Sequence, residues 1–580
     1  MKRRRYDIDR EEMAREEIAR TRISRGFARW LTAIFLTLLF AVPLVQMGLH
    51  LHNDQSLIPL PSSTPQASAL PGAQECLLQS ASVEEKNSFL SRVFRFNSRL
   101  IEQKSAFESG LEEGSFLHDI LTPPFESLQA RLLRSGNEKA VPGREGWLFY
   151  EPDIAFLTRG GTARVLMVSE HSNLTALPTA EVNPNPLDAM LRFARELRKR
   201  QITLIVMPVP VKPMLYPEPL SPPAGPATAS GSCATLPQPF SLVAKAMLDR
   251  EGVVLFDPFP VLAALKERGV PVFLKSDTHW TPAAMEEVAS ALSITLRQAG
   301  LAPQPDSSLF LREKLRVQGV GDIVTMLGGD TQHSIYPPEE VEIHPVFSQS
   351  GEMWMPFRGS EILFLGDSFS NIYSLEGMGW GASAGFAEQL SWQLQYGVDA
   401  LRRNDAGASA TRTMLSNELQ RGVDRLKAKR VVIWSFAMRE LAFGNWADIP
   451  MAIGKPRDTG FLRLAPADSL WVTGQVMSRS SSLSPAKVIY ADHLMAVHLM
   501  DVAAENGSFA GGEAIVYLQD MKERKLAPAA SLRPGDKVRL LLKNWESVSP
   551  RYSGFNRSEL DDFSLQLEEP LWGEQLTLHN

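Results

Sequence analysis

Between residues 187 and 434 short apolar runs alternate with stretches of helical period, and few architectures tolerate that alternation. Leu187 to Arg200, Phe240 to Arg250, Ala283 to Gly300, Phe386 to Leu394 and Met414 to Lys427 read as helices. Ile202 to Val206, Val253 to Phe256, Ile362 to Leu365 and Arg430 to Trp434 read as strands too uniformly apolar to keep one face wet. The expected fold class is therefore α/β, a largely parallel sheet covered by helices on both faces. In such sheets ligands meet the carboxyl ends of the strands.

At 580 residues the chain exceeds one comfortable core, so further domains are expected. Residues 1–29 form a basic tail, with Lys2, Arg3, Arg4 and Arg5 at its start, and from Trp30 to Leu49 no side chain is charged. At about 1.5 Å per residue such a run suits a hydrocarbon core about 30 Å thick, so residues 30–51 read as a transmembrane anchor. Its basic flank stays cytoplasmic and the rest of the chain crosses the membrane. A cleaved signal peptide is the competing reading; the long charged preface and the lack of a small-x-small cleavage site weigh against it. Residues 52–140 read as a linker, with Pro59, Pro61, Pro65 and Pro71, leading into a helical approach region with Phe89, Val93, Phe94 and Ile101 at helical spacing. Residues 141–455 hold the α/β domain.

Residues 456–580 form a β-rich domain, with strands expected at Leu470 to Val476, Lys487 to Val502, Glu513 to Leu518, Lys537 to Leu542 and Phe563 to Leu567. Leu532-Arg533-Pro534-Gly535-Asp536 signals a type II turn, and a small sandwich or barrel is expected. Trp545, Tyr552 and Trp572 have two readings there: rings stacked on sugars, or ordinary core. Cys76 and Cys233 are the only two cysteines, and they are read either as a disulfide or as buried free thiols. A net charge of −6 and the absence of basic stripes with interleaved aromatics exclude nucleic acid as a partner.

Two stretches carry chemistry. In Glu361-Ile362-Leu363-Phe364-Leu365-Gly366-Asp367-Ser368-Phe369-Ser370-Asn371 a buried strand ends at a turn from which a helix can open. Ser368 then projects from the sheet's edge as a nucleophile would, with the first N–H groups of the helix beside it to hold an oxyanion. An ordinary turn capped by Asp367 is the other reading. In Lys275-Ser276-Asp277-Thr278-His279-Trp280, Asp277 and His279 share a face if the segment is extended, which suits a general base and its carboxylate. Histidine is scarce, ten in the chain, and no third or fourth metal ligand stands at a recognisable spacing, so no metal is expected. No phosphate-binding loop or dinucleotide fingerprint is present, so no soluble cofactor is expected either.

Asp277-Thr278-His279-Trp280 together with Gly366-Asp367-Ser368-Phe369 resembles the alginate O-acetyltransferase family, periplasmic SGNH-hydrolase-like proteins that acetylate bacterial exopolysaccharides. Gly143 to Tyr150, Pro208-Val209-Pro210-Val211-Lys212 with Tyr216, Gly321-Asp322, and Val431 to Trp434 with Arg439 agree with it. In ordinary GDSL esterases the Ser comes first and an Asp-x-x-His last; here that order is reversed and one residue separates Asp from His. The resemblance implies an SGNH-like fold and a Ser368–His279–Asp277 triad, with Lys212, Tyr216 and Arg439 in the substrate cleft. It also implies an exopolysaccharide acceptor, acetylated through an acetyl-serine. The expected donor is a polytopic membrane acyltransferase, and the expected location is the inner membrane, single-pass, with the catalytic domain in the periplasm. A deacetylase with the same triad and a non-catalytic scaffold of a secretion complex are the alternatives. The Gly and Asn that complete the oxyanion hole of SGNH enzymes have no recognisable motif here.

Overall fold

The computed structural model describes residues 26–27, 29–37, 136–158, 185–220, 248–249, 251–303, 309–327, 336–404, 407–455, 460–481, 483, 485, 488 and 490–579. The chain divides into two units, Met1–Glu126 and Ser127–Asn580. In the first, 26–27 and 29–37 are helical, with Trp30, Leu31 and Phe35 exposed. Among the described residues no helix is long and apolar enough to cross a membrane, and only the first part of the expected 30–51 anchor is described. The linker, most of the approach region and of the helix expected over Phe240 to Arg250, Cys76 and Cys233 lie outside the described residues.

The second unit is built on a parallel sheet of five strands: β1 (Thr203–Val209), β2 (Val254–Leu255), β3 (Ile362–Gly366), β4 (Asp399–Arg402) and β5 (Val431–Ala437), in the order β4-β3-β5-β1-β2. All neighbouring pairs run parallel. Successive side chains alternate between two cores, as strand geometry requires. Ile205, Met207, Phe364 and Ile433 face helices α2 (Phe259–Glu267), α3 (Pro282–Gln298) and α5 (Phe386–Leu394). Leu204, Val206, Leu363, Leu365, Val432 and Trp434 face α1 (Pro186–Arg198) and α6 (Ala410–Gln420). Burial on both faces explains why these strands carry no polar alternation. Among the shorter helices, α4 (Ser368–Asn371) is a single turn that follows β3 directly.

The helix expected over Met414 to Lys427 begins earlier, at Ala410, and ends at Gln420. Gly422, in the left-handed region at φ 87°, supplies the stop.

Beyond residue 460 the chain forms β6 (Ser469–Arg479), β7 (His493–Ala504), β8 (Gly512–Lys522), β9 (Lys525–Leu526), β10 (Lys537–Asn544), β11 (Asn556–Ser558) and β12 (Pro570–His579). Pairings run β8-β12-β10-β6-β7 and return from β7 to β8, so the sheet closes into a small barrel with β9 and β11 at its margins. Closure removes the exposed edges an open sheet of this length would leave. Gly535 sits at φ 98° in the turn before β10, as the type II signal requires. The strand expected over Phe563 to Leu567 is instead a helical turn, Phe563–Gln566. Its alternating Phe563, Leu565 and Leu567 mimic a strand, but Asp562 accepts the Ser564 N–H at 2.8 Å and caps a helix start.

Candidate active site

Ser368 stands at the carboxyl end of β3, where the chain has almost no room. A Cβ on Gly366 would meet Ser370 Oγ at 2.3 Å and the Phe364 ring at 2.4 Å, so only glycine allows α4 to fold back this tightly. Asp367 holds the turn from both sides, accepting the Phe369 N–H on Oδ1 (3.0 Å) and the Ala437 N–H from the end of β5 on Oδ2 (2.7 Å). The N-cap reading of Asp367 and the half-buried Ser368 are thus features of one turn. Burial, foremost among its influences, raises the Asp367 pKa.

The loop between α2 and α3 brings Asp277 and His279 to that edge. It is clamped on α4: the Trp280 indole donates to the Phe369 carbonyl (3.0 Å), Tyr373 donates to the Trp280 carbonyl (2.7 Å), and the His279 ring meets Phe369 edge-on at 4.8 Å. The segment is a turn, not the extended stretch expected. Asp277 Oδ1 accepts the backbone N–H of His279 (3.0 Å), an Asx turn that curls the imidazole back onto the same carboxylate.

The result is a continuous line of groups. His279 Nδ1 lies 2.6 Å from Asp277 Oδ1, and Nε2 lies 2.9 Å from Ser368 Oγ. An ionised carboxylate only accepts, so Nδ1 carries the hydrogen and Nε2 offers its lone pair to the hydroxyl. Asp277 Oδ2 accepts the Trp380 indole N–H (3.0 Å) and the Asp322 backbone N–H (3.1 Å). Burial raises the Asp277 pKa, but the neighbouring His279 and these donors outweigh it and hold the carboxyl down at about 2. For His279 burial lowers the pKa, and the Asp277 and Asp322 carboxylates outweigh that, leaving it above the ordinary imidazole value. Asp277 and His279 are 1% and 3% exposed, so their field is little screened.

Other expectations meet different outcomes. The Phe369 and Ser370 N–H groups are bonded to Asp367 (3.0 and 3.1 Å), so these two of the expected first-turn donors are already engaged. Lys212 follows β1 but is 1% exposed, and its ammonium donates to the carbonyls of Leu148 (2.7 Å) and Lys275 (3.2 Å). It ties the Leu148–Tyr150 strand to the Asp277–His279 loop, and burial brings its pKa down to about 8. Tyr216 packs on Trp147 with ring centroids 4.4 Å apart, and its hydroxyl accepts the Val272 N–H (2.9 Å). Both residues thus serve the framework behind the loop. Arg439 lies nearer the site: its guanidinium pairs with buried Asp153 at 3.1 Å and lies 5.9 Å from the Phe369 ring centroid.

Sequence reasoning missed Trp380, Asp153 and the side chain of Asp322. The signal for Trp380 was its flanking glycines, Gly379 and Gly381, both at positive φ, which let the bulky ring reach inward between tight turns.

Among the described residues, Asp277, His279 and Asp322 are the one group with a metal-ligand set, their ligand atoms all within 4.8 Å. Of these atoms, His279 Nδ1 hydrogen-bonds Asp277 Oδ1, and the Asp322 carboxylate accepts from Thr278.

A second Ser–His–Asp line lies in the barrel. His493 Nδ1 is 2.7 Å from Asp520 Oδ1, and Nε2 is 3.1 Å from Ser558 Oγ. The cavity alongside, lined by Tyr490, Asp492 and Asn556, is about 10 Å³, room for roughly one water. This line pins β11 to β7 and β8. Of the three barrel aromatics, Trp572 is core at 3% exposure and Tyr552 stacks on it at 4.2 Å. Trp545 lines a cleft of about 220 Å³ with Arg358, Arg421 and Tyr517.

Comparison with known proteins follows the same lines. The family profile of the SGNH hydrolase-like domain of the acetyltransferase AlgX matches residues 140–438. A protein of Pseudomonas aeruginosa described as a probable alginate O-acetylase, AlgJ, is 23% identical over 342 residues, 59% of this chain and 80% of its own length. Its counterpart in Pseudomonas syringae pv. tomato is 26% identical over 326 residues, 55% of this chain and 73% of its own. Among solved structures, the O-acetyltransferase domain of Pseudomonas putida AlgJ is 22% identical and covers 53% of this chain and 94% of that one, with a TM-score of 0.39.

Proposed function

The chain belongs to the AlgX family of SGNH hydrolase-like acetyltransferases, and from that premise we propose that Ser368, His279 and Asp277 pass an acetyl group, held as acetyl-serine, to a hydroxyl of an exported polysaccharide. The observation that carries the reading is the hydrogen-bonded line from Asp277 through His279 to the Ser368 hydroxyl, at 2.6 and 2.9 Å. Ser368 Oγ attacks the acetyl carbonyl while Nε2 takes its proton, and the departing group leaves with that proton. The acceptor hydroxyl then gives its proton to Nε2 and attacks the acetyl-serine, which restores Ser368. Asp277 keeps the imidazole in the required tautomer and stabilises the imidazolium formed in each half-reaction. The relatives' description as probable alginate O-acetylases supports a polysaccharide hydroxyl as the acceptor.

The test is an acetyl-ester donor incubated with and without oligosaccharide acceptors. Acetylated sugars that disappear in a His279→Gln variant are the expected result. Free acetate formed at the same rate whether or not sugar is present would replace transferase by deacetylase. No turnover above buffer would leave the scaffold reading.

The donor, in this reading, is a polytopic membrane acyltransferase, and the 30–51 segment holds the chain beside it, with the catalytic domain in the periplasm. A triad on that side of the membrane has no access to cytoplasmic acetyl-CoA, and a shared membrane raises the partners' effective concentration. The exposed apolar side chains of Trp30, Leu31 and Phe35 suit a lipid-facing helix. Replacing residues 1–50 by a cleavable signal should lower glycan acetylation in cells at least about tenfold with export intact. Undiminished acetylation by the released form would remove the need for the anchor, and acetylation in a host without such an acyltransferase would defeat the donor assignment.

A further inference from the structure

We propose that Asp322 is a positioning residue of the catalytic loop, a second carboxylate that grips Thr278 between Asp277 and His279 and lends its negative charge to the imidazole. The proposal rests on the catalytic reading of that loop given above.

Asp322 opens the short helix Asp322–Met326, and each of its polar groups is turned to the loop. Its backbone N–H donates to Asp277 Oδ2 (3.1 Å), its Oδ1 accepts the Thr278 N–H (2.7 Å), and its Oδ2 accepts the Thr278 hydroxyl. The same Oδ2 lies 3.8 Å from His279 Nδ1. One residue thereby supports the carboxylate of the triad, the backbone that carries the imidazole, and the charge around it. The approach is possible because residue 321 is glycine: a Cβ there would stand 2.1 Å from the Ser276 carbonyl oxygen.

The charges around this pair come from several elements. Asp277 stands on the loop itself and Lys212 behind it; Arg439 follows β5, Tyr150 ends the Leu148–Tyr150 strand, and Asp153 lies in the helix that follows it. Glu339 accepts the N–H groups of Lys275 and Ser276. In that company burial, reinforced by the Asp277 charge, lifts the Asp322 carboxyl to about 6. Above that pH Asp322 is ionised, and its Oδ2 acts on the imidazole from 3.8 Å and holds His279 above the ordinary imidazole value. A general base must be neutral, and activity therefore falls as the pH drops through the His279 pKa. Removing the Asp322 charge lowers that pKa and moves the acid limb to lower pH, while the weaker base reacts more slowly.

Asp322→Asn separates charge from shape, since an amide can still accept the Thr278 N–H through oxygen and donate to its hydroxyl. Thr278→Val makes the opposite change, removing a hydrogen bond and keeping the charge. The His279 pKa is read by NMR titration of the folded protein, with its resonance identified in His279→Gln, so the readout needs no turnover. Expected for Asp322→Asn are a fall of about one pH unit in the His279 midpoint, the same displacement of the acid limb of kcat/KM, and a kcat loss of about tenfold at little change in KM. Thr278→Val leaves the midpoint in place. A His279 midpoint unmoved in folded Asp322→Asn, or one moved equally by Thr278→Val, overturns the proposal. Full activity in Ser368→Ala would overturn the catalytic reading instead and leave the titration result standing.

Discussion

In Ser368→Ala, acetyl turnover falls by roughly a million-fold, as it does where a nucleophile is removed from a triad that acts as a unit. At about 1.4 kcal/mol per factor of ten this is about 8 kcal/mol of transition-state stabilisation. The fold has little reason to follow. The hydroxyl's side-chain contact is with His279 Nε2, and the turn around it is held by Asp367, Gly366 and Ser370. The variant should therefore melt with the native protein and be silent in the transfer assay. A second readout fixes the chemistry: native enzyme quenched during turnover carries acetyl on the peptide containing Ser368, and the variant carries none. Near-normal turnover in folded Ser368→Ala sinks the assignment, and turnover that is lost without any acetyl-peptide in the native enzyme argues for direct transfer.

The sheet and the turn that carries Ser368 were legible because each rests on local chemistry. The four apolar residues from Ile362 to Leu365 are too short for a helix and read as a buried strand, and Gly366-Asp367 supplies the turn that ends it. The Asp277–His279 pairing was also legible, though for another physical reason than alternation, since the Asx turn and not an extended backbone brings the two side chains together. The partners that make this pair work were not legible. Trp380 and Asp322 lie far along the chain, and contacts made by folding leave no period in the sequence. The surroundings of Lys212 and Tyr216 were not legible for a related reason: their position after a strand suggests the ligand edge, and only the fold shows Lys212 buried against the Leu148–Tyr150 strand and Tyr216 half-buried against Trp147. In the barrel, Asp562 decides the fate of Phe563–Gln566 by one capping hydrogen bond, a contest that apolar alternation does not reveal.

Asp277→Asn should cost about 10⁴-fold in kcat or about 5 kcal/mol, milder than loss of Ser368 but large for a change of one atom. The reason lies in how fully the carboxylate is used. Oδ2 faces two donors, the Trp380 indole N–H and the Asp322 backbone N–H, and Oδ1 faces two more, the His279 backbone N–H and its Nδ1–H. An amide offers one acceptor oxygen, so its NH2 meets donors whichever way it turns. Placed toward Trp380 and Asp322, it opposes two N–H groups that cannot give up their hydrogens. Placed toward His279, it opposes one such group, because Nδ1 can surrender its hydrogen to Nε2 and become an acceptor. The second orientation is therefore favoured, and it puts a hydrogen on the nitrogen 2.9 Å from Ser368 Oγ, where the base needs a lone pair. The variant should fold, since each contact keeps its shape, but with a lower Tm, because one buried N–H is left facing an NH2 group, a mismatch of about 1–3 kcal/mol. Nitrogen NMR of the imidazole distinguishes the two tautomers directly. A His279 that keeps its hydrogen on Nδ1 in Asp277→Asn, with kcat reduced less than about tenfold, would mean that the carboxylate only orients the ring and that the proton's position is set elsewhere.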